Sequence, residues 1–316
     1  MSRPSVLYHL ETLFLFTSDQ VLDTVVPGTA FGAFAAVSGP VMGLPVQETS
    51  AVVRRLPLIS IWLWLMILQF CVQNQRHTSS VEEDSINKWW RPIPAGRITQ
   101  ENAISLLSST YVLNCAISYY LDVQPIYLAW TVLGTVYNDF GGGDHSGLSR
   151  NVFCGALFCC TFSGALNIAL GPSCNMSYRA WQWTLLMTLG VIGTTIHAQD
   201  FRDEIGDKVR GRRTLVLEMG RRTAMLSVVI AVSFWSLYLP LGFFSSDRTT
   251  ATLSMGLGAY LVVASIRAMG GHDAKRDRRM YKTWCLWIGV YCGLPALVRA
   301  TGEAFPTQDV SNSGTL

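Results

Sequence analysis

The sequence predicts an all-α integral membrane protein with nine membrane-spanning helices. Hydrophobic residues make up 50% of the 316 residues. Charged residues make up only 14%, against about 25% in an average soluble domain. The apolar residues also fall into separate runs of about 18 to 22 residues, which is long enough to cross a hydrocarbon layer of about 30 Å as a helix. We expect one polytopic domain, residues 1–316, in which the polar tail 301–316 is flexible.

Nine apolar runs mark the candidate spans. Several contain Gly or Pro, which membrane helices tolerate and use for close packing. In chain order the predicted spans are 20–37, 56–73, 99–119, 124–140, 150–170, 180–199, 221–244, 250–270 and 281–300.

Basic residues are distributed unevenly between the two sides of the membrane. If the N-terminus shares one side with the ends of spans two, four, six and eight, that side holds most of the 24 Lys and Arg residues. Loops rich in Lys and Arg stay in the cytosol. We therefore expect the N-terminus and this side to be cytosolic, with the protein in the membrane of the endoplasmic reticulum.

Cysteine spacing and net charge argue against several other classes of protein. The eight cysteines form no CxxC pair and mostly lie inside apolar runs, so we expect buried thiols rather than disulfides or metal ligands. The net charge of +3 is modest, and no basic stripe carries aromatic residues, which gives no support to nucleic-acid binding. Nothing in these patterns specifies an oligomeric state.

Three aspartates follow span six at helical spacing. Asp200, Asp203 and Asp207 are three and four residues apart, so a helix places their carboxylates on one face. Like charges on one stripe repel each other unless a cation lies over them. Mg²⁺ binds carboxylate oxygens and usually shares them with substrate phosphates. The stripe therefore indicates a magnesium site, and the alternative interpretation is a solvated, charged helix end.

A second acidic cluster, Glu82 to Asp84, follows span two. Because spans two and six end on the same side, this cluster and the Asp200 stripe are expected to face each other across one cavity. Carboxylates from both could hold Mg²⁺ against a diphosphate, while nearby basic side chains offset the remaining charge. The alternative is a pair of ordinary charged loops. The basic residues in question are Lys88, Arg91, Lys208 and Arg212.

Two motifs carry a family resemblance. Asn74 is followed by the segment 91–96, RPIPAG, and Asp203-x-x-x-Asp207-x-x-x-Gly211 follows span six. Together they resemble the UbiA superfamily of intramembrane prenyltransferases, in which the two motifs end the second and sixth helices. The resemblance implies nine helices around a central cavity that opens to the cytosolic face. It also implies Mg²⁺ as cofactor, a prenyl diphosphate as substrate and a lipid bilayer as surroundings.

The first motif departs from the family pattern. Gln75 and Thr78 stand where acids are usual, and Glu82 falls on the last acidic position, extended by Glu83. With the segment 17–32, TSDQVLDTVVPGTAFG, and the Tyr137-Asn138-Asp139 triplet, this form looks like a fungal branch that includes membrane-bound terpene cyclases. The resemblance then implies a Mg²⁺-dependent class I cyclase of fungal secondary metabolism. Farnesyl diphosphate is favoured as substrate over geranylgeranyl diphosphate.

The resemblance implies roles for particular residues. Metal and diphosphate would be held by Asn74, Glu82, Glu83, Asp200, Asp203 and Asp207. Phosphate oxygens would be bound by Lys88, Arg91, Lys208 and Arg212, and Tyr137 and Asn138 would join the pocket. His197 is a candidate for the final deprotonation, or else a hydrogen-bonded structural residue. Aromatic faces stabilise carbocations, and the candidates are Trp62, Trp64, Phe70, Trp130, Tyr137, Trp181 and Trp183. The alternative is that most of them are lipid-facing or interfacial anchors, since Trp and Tyr gather at membrane boundaries.

Two alternatives to the cyclase remain open at this stage. The first is a UbiA-type prenyltransferase, which ionises the same substrate but joins it to an aromatic or quinone acceptor. The second is a transporter or a non-catalytic membrane protein. A transporter's ion site is expected near the middle of the membrane, whereas these acids and bases lie at helix ends, so the sequence favours an enzyme.

Overall fold

The computed structural model of the protein describes residues 5–246 and 248–301, and in those ranges it contains helices and no β-strand. The predicted all-α class is therefore confirmed. The predicted tail, apart from Thr301, lies outside the described residues. The helices are α1 (Val6–Thr17), α2 (Val21–Val37), α3 (Thr49–Gln75), α4 (Thr78–Asn87), α5 (Gln100–Tyr120), α6 (Gln124–Asp139), α7 (Gly147–Leu170), α8 (178–199), α9 (Asp200–Arg210), α10 (Leu215–Met219), α11 (Arg221–Phe243), α12 (Arg248–Ala268), α13 (Ala274–Cys292) and α14 (Leu294–Ala300).

The long helices make this an integral membrane protein. Each of the nine predicted runs coincides with helix to within a few residues. Four helices, α3, α7, α11 and α12, are long and apolar enough to cross a membrane alone. Two bent pairs, α1 with α2 at 64° and α13 with α14 at 48°, bring the total to six. The number of nine spans stays a prediction, since α6, for example, has only 16 residues.

Small residues allow α2, α3 and α7 to pack closely. A Cβ atom on Gly32 of α2 would lie 2.6 Å from the carbonyl oxygen of Ala165 in α7, so only glycine permits this approach. Beside this contact, the rings of Phe31 and Phe162 stack with centroids 4.6 Å apart. Close backbone approach at small residues is the usual way in which membrane helices gain van der Waals contact. This packing fixes α7, which carries one wall of the cavity described below.

The short helices α4 and α9 pack against each other, and we call them the α4–α9 pair. Asn87 joins them, because its Nδ2 donates to the Asp203 carbonyl at 2.9 Å and its Oδ1 accepts from the Gly206 amide at 3.1 Å. A Cβ on Gly206 would lie 2.2 Å from Asn87 Nδ2. The predicted meeting of the two acidic segments is therefore observed, and Arg210 adds further bonds between them, to Ser80 at 2.8 Å and to Glu83 at 3.0 Å.

All eight cysteines are free thiols, as predicted. Cys71, Cys285 and Cys292 are fully buried among apolar side chains, and the other five are partly buried. Burial of free cysteines in apolar surroundings is common, because the thiol behaves as a small hydrophobic group. The fold is therefore held by helix packing and not by covalent cross-links within the described residues.

Candidate active site

A cavity lies beside the α4–α9 pair. Its volume is about 110 Å³ in this arrangement of side chains, and the space between its walls reaches about 870 Å³ when the part open to solvent is included. The polar side chains lining it are Gln20, Asp23, Thr24, Asn74, Glu83, Lys88, Arg91, Arg150, Gln199, Arg202, Asp203 and Arg212. The remaining lining is formed by Ile67, Phe70, Trp130, Tyr137, Cys154, Leu157, Phe158, Thr161 and Ile196.

The lining changes from charged to apolar along the helices. On α7, Arg150 is followed on the same face by Cys154, Phe158 and Thr161. At about 1.5 Å per residue, Arg150 and Thr161 lie roughly 16 Å apart along the helix axis. On α3, Phe70 and Ile67 lie below Asn74 in the same way. The cavity therefore suits an amphiphile with an anionic head and a hydrocarbon chain.

The three aspartates of α9 all face inward. Asp200, Asp203 and Asp207 are 1%, 8% and 0% exposed, while Ile205, Lys208 and Val209 lie on the exposed side of the helix. Their helical spacing therefore produced the predicted stripe, and the alternative of a solvated helix end is wrong for these residues.

Each of these aspartates is paired with a basic side chain. Lys88 Nζ lies 2.7 Å from Asp203 Oδ2, and Arg150 Nη2 lies 3.0 Å from Asp200 Oδ1. Arg212 Nη1 is 3.4 Å from Asp207 Oδ1. Burial alone would raise the pKa of Asp203, but the Lys88 ammonium and the Arg202 guanidinium outweigh it and lower that pKa. The Asp203 carboxylate is thus held ionised by Lys88 and Arg202.

On α4, adjacent acids point in different directions. Glu83 and Asp84 are buried, and Glu83 accepts from Arg210 at 3.0 Å and from Arg212 at 3.4 Å. Asp84 accepts two bonds from Arg91, at 2.7 and 2.9 Å. Glu82 is exposed, because successive residues are about 100° apart around a helix. The expectation that Glu82 holds metal or diphosphate is therefore corrected, since the structure directs this side chain away from the cavity.

The four predicted phosphate-binding residues do not all reach the cavity. Lys88, Arg91 and Arg212 line it. Lys208 is exposed and does not line it, because it is one residue beyond Asp207 and so lies on the outer side of α9. The role predicted for Lys208 is thereby corrected. Arg212 also bonds Asp144 at 3.0 Å, which fixes its guanidinium over the α4–α9 pair.

Asn74 and Tyr137 line the cavity, and Asn138 supports one of them. Asn74 Nδ2 donates to Asn138 Oδ1 at 2.8 Å. Asn138 itself lies outside the lining, so its predicted place in the pocket becomes a contact that orients Asn74. The Tyr137 hydroxyl accepts from Arg150 Nη1 at 2.6 Å. Helices α3, α6 and α7 therefore meet at the charged end of the cavity.

The predicted aromatic residues divide into two groups. Phe70, Trp130 and Tyr137 line the cavity, and the structure adds Phe158. The other candidates lie elsewhere: Trp62 and Trp183 are buried in helix contacts, while Trp64 and Trp181 are absent from the lining.

His197 is held away from the cavity. Its Nδ1 is 3.0 Å from Asn151 Nδ2, and its Nε2 is 2.9 Å from Ser227 Oγ and 3.2 Å from the Ala224 carbonyl. Both ring nitrogens thus have partners in the helix packing, and the side chain does not line the cavity. His197 is therefore a hydrogen-bonded structural residue and not the base for the final deprotonation.

The comparisons with known proteins agree with this architecture. The UbiA prenyltransferase family matches residues 25–287. The chain belongs to the UbiA family. Its enzymes transfer prenyl groups or form terpenes, so the chain is an enzyme, and the transporter and non-catalytic alternatives fall away.

Relatives of this UbiA protein include both kinds of enzyme. The fumagillin beta-trans-bergamotene synthase of Aspergillus fumigatus is 28% identical over 298 residues, covering 93% of this chain and 94% of that protein. A polyprenyl transferase of Hericium erinaceus is 27% identical over 300 residues, covering 91% of this chain and 93% of its own. A UbiA homolog from Archaeoglobus fulgidus, solved with GPP and Mg²⁺, has a TM-score of 0.63 at 13% identity. It covers 91% of this chain and 100% of its own, so the two share a fold.

The UbiA site has carboxylate oxygens suited to a divalent cation. Within residues 5–246 and 248–301, no three His, Cys, Asp or Glu side chains lie close enough to form a complete metal site. The reason is that arginines and a lysine lie between the acids. However, Asp200 Oδ2 and Asp207 Oδ2 are both buried without a hydrogen-bond partner. Burial and the neighbouring Asp200 carboxylate raise the pKa of Asp207. Oxygen donors of this kind fit Mg²⁺.

Sequence reasoning missed several residues of this UbiA site. Arg150 begins span five and belongs to neither motif, yet it donates to Asp200 and Tyr137. Arg210 forms two ion pairs, one with Asp144 and one with Glu83, each at 3.0 Å. Their positions in short loops or helix ends carried no motif, so only the three-dimensional arrangement identifies them.

Proposed function

We propose that this UbiA protein is a Mg²⁺-dependent class I terpene cyclase. It would ionise a prenyl diphosphate, with farnesyl diphosphate favoured, and close the chain to a terpene hydrocarbon. The observation that carries the proposal is the cavity with a charged end and an apolar, aromatic interior. The similarity to a bergamotene synthase over 93% of the chain supports the same activity.

The diphosphate would lie at the charged end of the cavity. Lys88, Arg91, Arg150 and Arg212 would offset its negative charge and hold it while the allylic carbon–oxygen bond breaks and the electron pair leaves with the diphosphate. Lewis-acid stabilisation of that leaving group is the chemistry that Mg²⁺ supplies when bound. The side chains that would hold the ion are Asn74, Glu83 and Asp203, which line the cavity. Asp200 and Asp207 would join them, although they lie buried against Arg150 and Arg212 and do not line the cavity.

The hydrocarbon chain would fold against the aromatic interior. Phe70, Trp130, Tyr137 and Phe158 present rings to the cavity. Each desolvated aromatic face stabilises a cation by about 0.5 to 2 kcal/mol. The apolar walls also exclude water, which would otherwise trap the cation as an alcohol. Ring closure by internal capture of the cation is therefore favoured over reaction with solvent.

Orientation and organisation belong to the same proposal. We infer that the α4–α9 pair faces the cytosol, because most of the Lys and Arg residues lie on that side of the predicted spans. The membrane is proposed to be that of the endoplasmic reticulum, and residues 1–316 are proposed to form one domain. In this arrangement the charged end of the cavity meets soluble prenyl diphosphate, and the apolar end lies at bilayer depth.

An assay without acceptor tests the proposed function. Purified protein in lipid vesicles is incubated with farnesyl diphosphate and Mg²⁺, and the extracted products are identified by mass spectrometry. We expect a cyclic hydrocarbon and equimolar diphosphate, both absent from an Asp203→Ala control. Release of no hydrocarbon from farnesyl or geranylgeranyl diphosphate would contradict the cyclase assignment.

A prenyltransferase is the second candidate, and one observation favours it. A second cavity lies next to the first and shares Lys88, Arg202 and Asp203 with it, so an acceptor could approach the ionised carbon from there. The similarity to a polyprenyl transferase points the same way. If products form only when an aromatic or quinone acceptor is added, this second function is the correct one.

A further inference from the structure

A carboxylate inside the first predicted span has no role in the site described so far. Asp23 in α2 is 3% exposed and lines the cavity. Ionisable residues inside membrane spans are costly, and they usually serve a function. Asp23 also lies in a π-helical turn, Val21–Val25, and such turns inside α-helices are frequent at functional sites.

Two hydrogen bonds hold the Asp23 carboxylate in place. Thr24 Oγ1 donates to Asp23 Oδ1 at 2.8 Å, and the Tyr281 hydroxyl of α13 donates to Asp23 Oδ2. The Arg202 guanidinium lies 3.8 Å from the centre of the Tyr281 ring and so fixes that ring. A carboxylate has about four lone-pair positions, and these two bonds occupy only two of them. Asp23 can therefore still accept a proton from a molecule in the cavity.

Asp23 differs from the other acids that line the cavity. Glu83 and Asp203 form ion pairs with arginines or with Lys88 at the charged end. Within residues 5–246 and 248–301, Asp23 forms no ion pair, and its partners are two hydroxyl groups. A carboxylate held by hydroxyl groups is not neutralised by a contacting cation. It is therefore the cavity acid best suited to a cationic intermediate.

We propose that Asp23 accepts the proton that ends the cyclisation, an inference that rests on the proposed cyclase function. In this step a C–H bond next to the cationic carbon breaks, and its electron pair becomes the new C=C bond. The proton passes to an Asp23 carboxylate oxygen. No other reactant is needed, because the hydrocarbon product and the protonated acid account for all atoms and charges. Tyr281 and Thr24 act as positioning residues that aim the carboxylate.

The test separates ionisation from deprotonation. The Asp23→Asn variant has nearly the same shape, and its Oδ1 can still accept one of the two hydrogen bonds while its Nδ2 donates to the other hydroxyl oxygen. The amide, however, is a far weaker base than the carboxylate. We expect diphosphate release to stay near the wild-type rate while the wild-type hydrocarbon falls by about 100-fold, as for loss of a general base. Alcohols and altered olefins should take its place. Loss of diphosphate release in step with the hydrocarbon, or an unchanged product, would overturn the proposal.

Two further variants cover a folding failure of the first. Asp23→Glu keeps the carboxylate but extends it by one methylene, and we expect a different ratio of olefin isomers at an unchanged rate of diphosphate release. Tyr281→Phe keeps the acid but frees its orientation, and should broaden the product mixture in the same way. Wild-type isomer ratios in both variants would contradict a role for Asp23. A wild-type enzyme that releases no hydrocarbon would instead contradict the cyclase function itself.

Discussion

Adjacent glutamates on α4 show how one residue step decides a role. Glu83 is buried and bonds Arg210 and Arg212 at the charged end of the cavity, while Glu82 faces outward. The inward face of α4 carries Ser80, Glu83, Asp84 and Asn87 at intervals of three and four, the spacing of one helix face. The two glutamates have the same chemistry, so any difference between them comes from direction alone.

This difference can be measured with matched substitutions. We expect Glu83→Gln to lower the rate of diphosphate release by about 100-fold or more, because Glu83 is one of the carboxylates proposed to hold Mg²⁺ and its charge also fixes Arg210 and Arg212. Glu82→Gln should remain within about twofold of wild type, since exposed substitutions rarely perturb a fold. Both variants are assayed in vesicles with farnesyl diphosphate and Mg²⁺. If both variants lose diphosphate release to the same extent, the side chain of Glu82 does not face outward in the working enzyme, and the assignment is contradicted.

At the scale of elements, one amide side chain sets the register of the α4–α9 pair. Asn87 bonds the Asp203 carbonyl and the Gly206 amide, and Gly206 has no room for a Cβ beside it. A partner that orients a metal-binding group is typically worth about 10–100-fold in metal affinity. Asn87 therefore sets the position of the Asp203 segment relative to Glu83 across the cavity.

A double substitution tests this coupling. Asn87→Ala should raise the Mg²⁺ concentration for half-maximal activity by about 10-fold. Gly206→Ala should be worse, because its methyl group would collide with Asn87. The double variant should recover part of the loss of Gly206→Ala, since removing Asn87 vacates that space. If the losses of the two single variants simply add in the double variant, the contact between Asn87 and Gly206 does not couple the helices. Ser85→Ala, on the exposed side of α4, is the control.

The α3–α7 contact makes a separate stability prediction. A Cβ on Gly164 would lie 2.2 Å from Trp62 Cη2, and Trp62 is fixed by a 2.9 Å bond from its Nε1 to Ser118 Oγ. Gly164→Ala should therefore destabilise the fold by about 1–3 kcal/mol through overpacking. The melting temperature in detergent reports this loss. Gly256→Ala in α12, where no atom lies within 4 Å of the added Cβ, should change it little.

For the whole molecule, the sequence predicted the periodic features well. The α9 aspartates repeat at helical spacing, and they share the inward face. Spans two and six end on the same side of the membrane, which predicted that the segments following them, α4 and α9, would meet there. The structure shows this contact. The direction of Glu82 was not predicted, because the first motif departs from the family pattern and helix phase near a loop is not fixed by composition. The outward direction of Lys208, by contrast, follows from the aspartate spacing, since Lys208 is one residue beyond Asp207. The pairing of Arg150 with Asp200 was not predictable, since it joins residues 50 positions apart.

Orientation in the membrane is a whole-molecule prediction. Two exposed glutamates lie on opposite sides in the proposed topology, Glu82 on α4 and Glu48 before α3. In sealed microsomes, we expect an impermeant maleimide to label Glu82→Cys directly and Glu48→Cys only after detergent is added. The wild-type chain, with its eight native cysteines, gives the background. Labelling in the reverse order would place the α4–α9 pair in the lumen.

The alternating acids and bases around the cavity have a thermodynamic consequence. Lys88 and Arg150 hold Asp203 and Asp200 at 2.7 and 3.0 Å, so a ligand ion that binds an acid or a base weakens the bond to its present partner. A divalent cation alone would leave the bases unpaired, and a diphosphate alone would leave the acids unpaired. Arriving together, they exchange all partners at once. Linkage requires that each then raises the affinity for the other by the same factor, so the enzyme would retain little prenyl diphosphate when magnesium is scarce.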